Sequence, residues 1–297
     1  MLSVTNDKKP VIFSDVDGTI YQDFNLQKET ETDIKFAIQN GADFNICTGN
    51  PVQERMIYLA NKLNAKYLIC SSGAEIYDVK NEKMIQTSHI DYSILLKLIK
   101  IAKELNIQMF FWDEKDYYYL KDEFPIKNEI LRYHFISEQK RKSVPKKWNN
   151  ETINPIKIEI YSNFNSEFPN LPVDVYPYVK DIENVEMVLT HFNIEVSPKN
   201  INKGSAIKWI VTNLYKDENV SIDDVMTIGD SNNDASMLEI GNYSYAMANS
   251  VDKPLKIAKF FTSDVIQNGL GEAILDYLYR LKNIIRKHML HEFLEDK

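Results

Sequence analysis

Apolar positions come in short runs, each followed by a segment where they recur at helical spacing. Pro10-Val-Ile-Phe-Ser14 is such a run and ends at Asp15, after which residues 28–40 place Ile34, Ala37 and Ile38 on one face ahead of Gly41. Ala42 to Cys47 reads as a second buried strand, Thr48-Gly49-Asn50 as a turn, and Pro51 as the opening of a helix with Val52, Met56, Leu59 and Leu63 on one side. Lys66 to Cys70 reads as a third strand. The repetition predicts an α/β fold, a Rossmann-like doubly wound parallel sheet whose site lies at the carboxyl ends of its strands.

Beyond Cys70 the pattern changes. Residues 74–79 and 84–87 flank the turn-like Lys80-Asn-Glu-Lys83, as in a hairpin. Asp91 is placed to cap a helix carrying Ile94, Leu95, Leu98, Ile99, Ala102 and Leu105. Strand-like segments follow at 107–112, 117–120, 156–161, 173–178, 185–190 and 192–197, while the polar stretch 121–155 reads as a surface excursion. Alternation resumes with helix 203–214, strand 224–228, helix 232–240, strand 243–247, helix 251–259 and a long helix from about Gly271. Residues 1–86 and 198–297 are therefore expected to form the core, and residues 87–197 an inserted α+β cap.

Composition narrows the possible partners. The 297 residues hold 35 Lys and Arg against 43 Asp and Glu, a formal charge of −8, with no long basic block. A nucleic acid or a membrane surface held by charge is not expected. No apolar run reaches the length of a membrane span, and the polar N-terminal segment has no secretory core, so a cytoplasmic location is expected. Cys47 and Cys70 each end an apolar run and read as two buried thiols in a reducing compartment.

The chemistry lies in the loops. Ser14-Asp15-Val16-Asp17-Gly18-Thr19 sets two carboxylates one residue apart at the end of the first strand, with Gly18 permitting a tight turn. Such a pair is costly unless a cation or a shared proton relieves it, which implies a hard, oxygen-seeking ion, most simply Mg²⁺. An Asp-rich turn would need no ion. Gly229-Asp230-Ser231-Asn232-Asn233-Asp234 presents a second acidic loop after Val225-Met226-Thr227-Ile228, where capping of the next helix would need only one of these polar residues. Thr48 at a helix N-terminus is placed for phosphate or for a plain cap, and Lys203 is a candidate counter-charge or a solvated surface lysine.

The order of these pieces resembles the haloacid dehalogenase-like superfamily of phosphotransferases, in its Cof-type branch with a large α/β (C2-type) cap inserted after the third strand. The resemblance rests on Asp15-Val-Asp-Gly-Thr19, Thr48-Gly49, Ser72-Gly73-Ala74, Lys203-Gly204, Gly229 to Asp234, and Thr262-Ser263-Asp264 before Asn268-Gly269, and covers nearly the whole chain. It implies that Asp15 attacks a phosphoryl group to form an aspartyl-phosphate while Asp17 protonates the leaving alcohol and then activates water. It further implies Mg²⁺ on Asp15, Asp230 and the Asp17 backbone carbonyl. Phosphoryl oxygens would lie against Thr48, Lys203, Asn233 and N–H groups near Gly18 and Gly49, with Asp234 supporting Lys203 or the metal.

Two positions depart from the common pattern. Asn50 stands where members often carry Arg, and Ser72 where Asn is frequent. Arg55 does not simply inherit the task of the missing Arg. The implied activity is Mg²⁺-dependent hydrolysis of small phosphorylated metabolites, sugar phosphates among them. The alternatives are a phosphomutase using the same aspartyl-phosphate and a catalytically idle phosphometabolite-binding protein. In the cap, Phe110 to Trp112 and Tyr117 to Tyr119 could stack on a sugar or a ring but read first as sheet core or edge pairs, and His191, Asn193 and Glu195 lie on one face of a strand, either meeting a substrate or solvated.

Overall fold

The computed structural model describes residues 8–122, 145–161, 173–190 and 193–284. Along the chain the strands are β1 (Val11–Ser14), β2 (Asp43–Cys47), β3 (Tyr67–Cys70), β4 (Glu75–Asp78), β5 (Lys83–Thr87), β6 (Gln108–Trp112), β7 (Tyr117–Tyr119), β8 (Lys146–Lys147), β9 (Lys157–Tyr161), β10 (Val185–Leu189), β11 (Ile194–Pro198), β12 (Met226–Gly229), β13 (Tyr243–Ala246) and β14 (Phe260–Phe261). The helices are α1 (Lys28–Gln39), α2 (Glu54–Lys62), α3 (Tyr92–Glu104), α4 (Tyr176–Val179), α5 (Lys203–Leu214), α6 (Ala235–Leu238), α7 (Asp252–Ile257) and α8 (Gly269–Lys282).

The first sheet runs β14-β13-β12-β1-β2-β3-β4-β5, parallel from β14 to β3 and antiparallel through the β4–β5 hairpin. β1 is buried at all four positions, because helices cover both faces of this sheet. Alternation divides its side chains: Ile12 joins Phe44, Ile46, Ile34, Met56 and Tyr277 on one side, while Val11 and Phe13 join Ile69, Ile207, Ile210 and Met237 on the other. β1 pairs with β2 on one edge and with the distant β12 on the other, both parallel, so the order of strand addition reverses beside it. The loops after β1, β2 and β12 therefore open into one crevice. Both cysteines are buried and free, as expected.

The second sheet runs β10-β11-β9-β6-β7-β8. One face packs on α3, where Ile94, Leu95, Leu98 and Ile99 meet Met109, Phe111, Ile158, Ile160, Ile194 and Val196. Asp91 caps α3 as expected, accepting from the Ser93 N–H at 2.7 Å. The other face carries Phe110, Trp112, Lys157, Glu159, Tyr161 and Glu195, all buried, and turns toward the first sheet: the Trp112 indole donates to Ser71 Oγ at 2.9 Å. The aromatic residues of β6 and β7 are thus sheet core, apart from the half-buried Tyr119.

Three local expectations need correction. Residues 173–178 do not form a strand. Pro177 has no N–H for a ladder, and its fixed φ suits the first turn of the short helix α4 instead. Pro51 does not open a helix, since Gln53 is still extended and α2 starts at Glu54, so Thr48 does not stand at a helix N-terminus; the Val52 N–H donates instead to Glu75 Oε2 at 3.2 Å. Within the polar 121–155 stretch, Lys146–Lys147 form a short strand parallel to β7. His191 lies outside the described residues.

Candidate active site

Asp15 extends β1 by one residue, its N–H donating to the Ile228 carbonyl at 3.0 Å, and its carboxylate enters the crevice almost wholly buried. Facing it is Lys203, the first residue of α5, where a capping box between Asn202 and Ser205 fixes the helix start. A cation is disfavoured at a helix N-terminus. Here two carboxylates hold it: Lys203 Nζ donates to Asp15 Oδ1 at 2.6 Å and to Asp234 Oδ1 at 2.5 Å, with no solvent exposure. The other oxygen of Asp234 accepts the Asp230 and Ser231 N–H groups at 3.0 and 2.8 Å, which fixes the acidic loop after β12. Asp230 is held by Thr19, whose hydroxyl donates to Oδ1 at 3.1 Å.

Carboxylate oxygens of Asp15, Asp230 and Asp234 lie within 4.8 Å of one another. Burial, and then the charge of Asp234, push the Asp15 carboxyl up to about 7 despite Lys203. Asp230 is raised well above the ordinary range by burial, then by Asp15 and Asp234. Burial works against charge on Lys203, but Asp15 and Asp234 outweigh it and the ammonium is held firmly. Three carboxylates facing one ammonium leave negative charge unmatched, and an all-oxygen donor set of this kind fits a hard divalent cation such as Mg²⁺. Gly18 belongs to this arrangement: its φ is +89°, and a Cβ there would lie 2.5 Å from Asp230 Oδ2.

Asp17 is separate from that group. Its side chain is 39% exposed and accepts from Asn50 Nδ2 at 2.7 Å and from Arg55 Nη2 at 3.2 Å, both at Oδ2. Its carboxylate is not one of the grouped oxygens of Asp15, Asp230 and Asp234. The Asn50 amide also reaches Thr48 Oγ1 at 2.9 Å, joining the turn after β2 to the Asp17 loop.

The remaining expected residues meet the second sheet. The Gly49 carbonyl accepts from Lys157 Nζ at 2.8 Å, and the Asn233 amide donates to Glu195 Oε1 at 3.2 Å. Lys157 is wholly buried and also pairs with Glu159 at 3.1 Å and with Glu195 Oε2 at 2.9 Å. Ser72 Oγ donates to the same Glu195 oxygen at 2.7 Å, from a turn where Ser71 and Ser72 both have positive φ. A Cβ on Gly49 would lie 3.0 Å from Lys157 Nζ, so the absence of a side chain permits this approach. The structure therefore brings Asp15, Asp17, Gly18, Thr48, Gly49, Lys203, Asp230, Asn233 and Asp234 into one crevice. Arg55, Lys157, Glu159 and Asn249, whose amide donates to the Gly18 carbonyl at 2.8 Å, are additions that the sequence did not single out for the site. The alternation Lys157-Ile-Glu-Ile-Tyr161 marks two faces, but does not say that the polar one is covered.

A parallel sheet whose strand order reverses at β1, acidic loops at two strand ends and a lysine between them agrees with the family model of the haloacid dehalogenase-like hydrolases, which matches residues 12–274. The chain belongs to that family. Its fold is that of solved haloacid dehalogenase-like structures: the subclass IIB sugar phosphatase BT4131 superposes with a TM-score of 0.78 at 17% identity, over 93% of this chain and 100% of the other. BT1666 from Bacteroides thetaiotaomicron gives 0.73 at 19% identity, over 96% and 99%. The 5-amino-6-(5-phospho-D-ribitylamino)uracil phosphatase YcsE of Bacillus subtilis (strain 168) is 26% identical over 273 residues, 89% of this chain and 94% of that protein. As a haloacid dehalogenase-like hydrolase the chain is an enzyme. No helix among the described residues is long and apolar enough to cross a membrane.

Proposed function

We propose that this hydrolase is a Mg²⁺-dependent phosphatase that transfers the phosphoryl group of small phosphorylated metabolites to Asp15 and then to water. The observation that carries the reading is the unequal placement of two carboxylates on one loop. Asp15 is buried against Lys203 in an acidic cluster, whereas Asp17 faces the crevice partly exposed, away from that cluster. A buried carboxylate suits the nucleophile, and one at the mouth suits proton exchange with a leaving group and with water.

In this reading an Asp15 oxygen attacks phosphorus, the ester oxygen departs with a proton from the Asp17 carboxyl, and the phosphoryl group rests on Asp15. The Asp17 carboxylate then takes a proton from a water that attacks the same phosphorus, which returns Asp15 and frees inorganic phosphate. Lys203, Thr48, Asn233 and backbone N–H groups near Gly18 and Gly49 would bind the phosphoryl oxygens and stabilise the charge that spreads over them. Mg²⁺, held by Asp15, Asp230 and the Asp17 carbonyl, would supply further charge neutralisation when bound. Asp234 would keep Lys203 and the acidic loop in register.

Residues 87–197 would act as the cap that selects the leaving group. Asn233 is engaged by Glu195 of that segment through one of the two N–H donors of its amide, which leaves the other for a phosphoryl oxygen and ties the segment to the phosphoryl site. A phosphorylated sugar or polyol is the favoured substrate class. It is supported by the names of BT4131 and YcsE and by the polar face of β9 and β11. That face carries Lys157 against Glu159 and Glu195, a poor receptor for a second phosphate, which favours hydrolysis over the phosphomutase alternative. A cytoplasmic location, consistent with two buried free thiols, belongs to the same proposal.

The test is inorganic phosphate release from a panel of phosphorylated metabolites, with Mg²⁺ and with EDTA, for the wild type and Asp15→Asn. Release that needs both the metal and Asp15 is expected. Silence across the panel, or equal release by the variant, would overturn the reading.

A further inference from the structure

Asp17 lies in a loop three residues beyond β1, and the groups that hold its carboxylate come from another part of the chain. Asn50 Nδ2 and Arg55 Nη2 both donate to Oδ2, at 2.7 and 3.2 Å, while Arg55 Nη1 reaches Oδ1 at 3.4 Å. Arg55 sits in the first turn of α2 and is 5% exposed. Its guanidinium carbon is 4.9 Å from the Phe24 ring centroid and 5.8 Å from that of Tyr21. Those rings belong to the segment that follows Asp17, where Asp23 and Phe24 both take positive φ, 50° and 64°, a conformation that persists only when its surroundings hold it. One guanidinium thus grips the Asp17 carboxylate and the loop that carries it.

The arginine is poorly arranged for stability alone. Its Nε is buried and has no hydrogen-bond partner among the described residues, and an apolar side chain would fill the same space without an unpaired donor. Its planar fork, however, fixes the plane of a carboxylate in a way that a lysine does not.

We propose that Arg55 is the positioning residue of Asp17, and that with Asn50 it anchors Oδ2 so that Oδ1, held by one long contact, is the oxygen that exchanges the proton. This rests on the reading of Asp17 as the general acid and base. Among the described residues, the hydrogen bonds of Arg55 go to Asp17 and not to Asp15, Lys203, Asp230 or Asp234. Its effect should therefore depend on how much the leaving oxygen needs a proton.

The test compares kcat/KM for p-nitrophenyl phosphate, whose phenolate departs readily, with that for an alkyl phosphate such as glucose 6-phosphate, whose alkoxide needs the proton. Arg55→Ala and Arg55→Met should lower the alkyl value by about 10- to 100-fold and the aryl value by less than about 3-fold, with Arg55→Lys in between. Asp17→Asn should show the same selectivity more strongly. Equal losses on both substrates in the Arg55 variants, beside a selective Asp17→Asn, would reduce Arg55 to a fold-supporting role and overturn the proposal. An unselective Asp17→Asn would instead overturn the acid and base reading itself. Should the Ala and Met variants fail to fold, Arg55→Lys decides: an unchanged alkyl-to-aryl ratio in the folded protein rules the positioning role out.

Discussion

Replacing Lys203 by methionine removes the ammonium from between Asp15 and Asp234 and puts an apolar chain of similar length in its place. The lysine is wholly buried and holds both carboxylates at 2.6 and 2.5 Å, so neither solvent nor a neighbouring cation takes over its charge. Removing one partner of a buried ion pair costs about 3–5 kcal/mol, and with two partners stranded the metal-free variant should lose about 5 kcal/mol at pH 8. The loss should shrink as the pH falls. Asp15 is pushed up to about 7 even with Lys203 present, and higher without it, so at pH 6 a proton neutralises the stranded carboxylate. The sign follows from linkage: a carboxyl that is more basic in the folded chain than in the unfolded one adds stability at low pH, and that share is lost as pH rises through the folded value. Urea unfolding in EDTA at pH 6 and pH 8 reads the difference between variant and wild type. A deficit below about 1 kcal/mol at pH 8, or one equal at both pH values, would refute the view of Lys203 as the counter-charge of the cluster.

Because Asp15 and Asp230 hold protons tightly, Mg²⁺ should bind more strongly at pH 8 than at pH 6 and release protons as it binds; calorimetry in two buffers of different ionisation enthalpy would show it, and Asp230→Asn should remove most of the affinity. Glu75, pushed up to about 7 by burial against its bonds to Ser71 and Val52, adds stability below about pH 4.5 that is lost as pH approaches and passes 7. Glu75→Gln should therefore gain on the wild type by up to about 3 kcal/mol between pH 5 and pH 8 in urea unfolding, and parallel pH curves would speak against it. Gly18→Ala, with φ at +89° and Asp230 Oδ2 only 2.5 Å from the added carbon, should displace Asp230 and cut Mg²⁺-dependent turnover at least tenfold, whereas a near wild-type rate would mean that the loop adapts.

The core strands were legible because a parallel sheet covered on both faces writes continuous apolar runs, such as Val11 to Phe13, each ending in the polar loop that carries chemistry. Asp15, Lys203 and Asp230 could be found for that reason, each standing at the end or start of an element. Pro51 misled, since a proline's fixed φ serves a turn as well as a helix start, whereas Pro177, inside the run read as a strand, was a signal against that reading. Contacts between distant segments were not legible. Lys157 and Glu195 share a face only through the β9–β11 pairing, and Arg55 reaches Asp17 only once α2 lies beside the loop after β1. Periodicity reports which side of an element is polar, but what covers that side is decided by tertiary packing.

In the proposed mechanism Asp15 carries the phosphoryl group between substrate and water. Asp17→Asn should slow the second step by removing its base, so that the intermediate accumulates. Acid quenching of this variant during turnover of p-nitrophenyl phosphate with Mg²⁺, followed by peptide mass spectrometry, reads the claim directly. One added phosphoryl group is expected on the peptide containing Asp15, absent in EDTA and in the Asp15→Asn, Asp17→Asn double variant. An unmodified Asp15 peptide, with phosphate still released by Asp15→Asn at the wild-type rate, would contradict it.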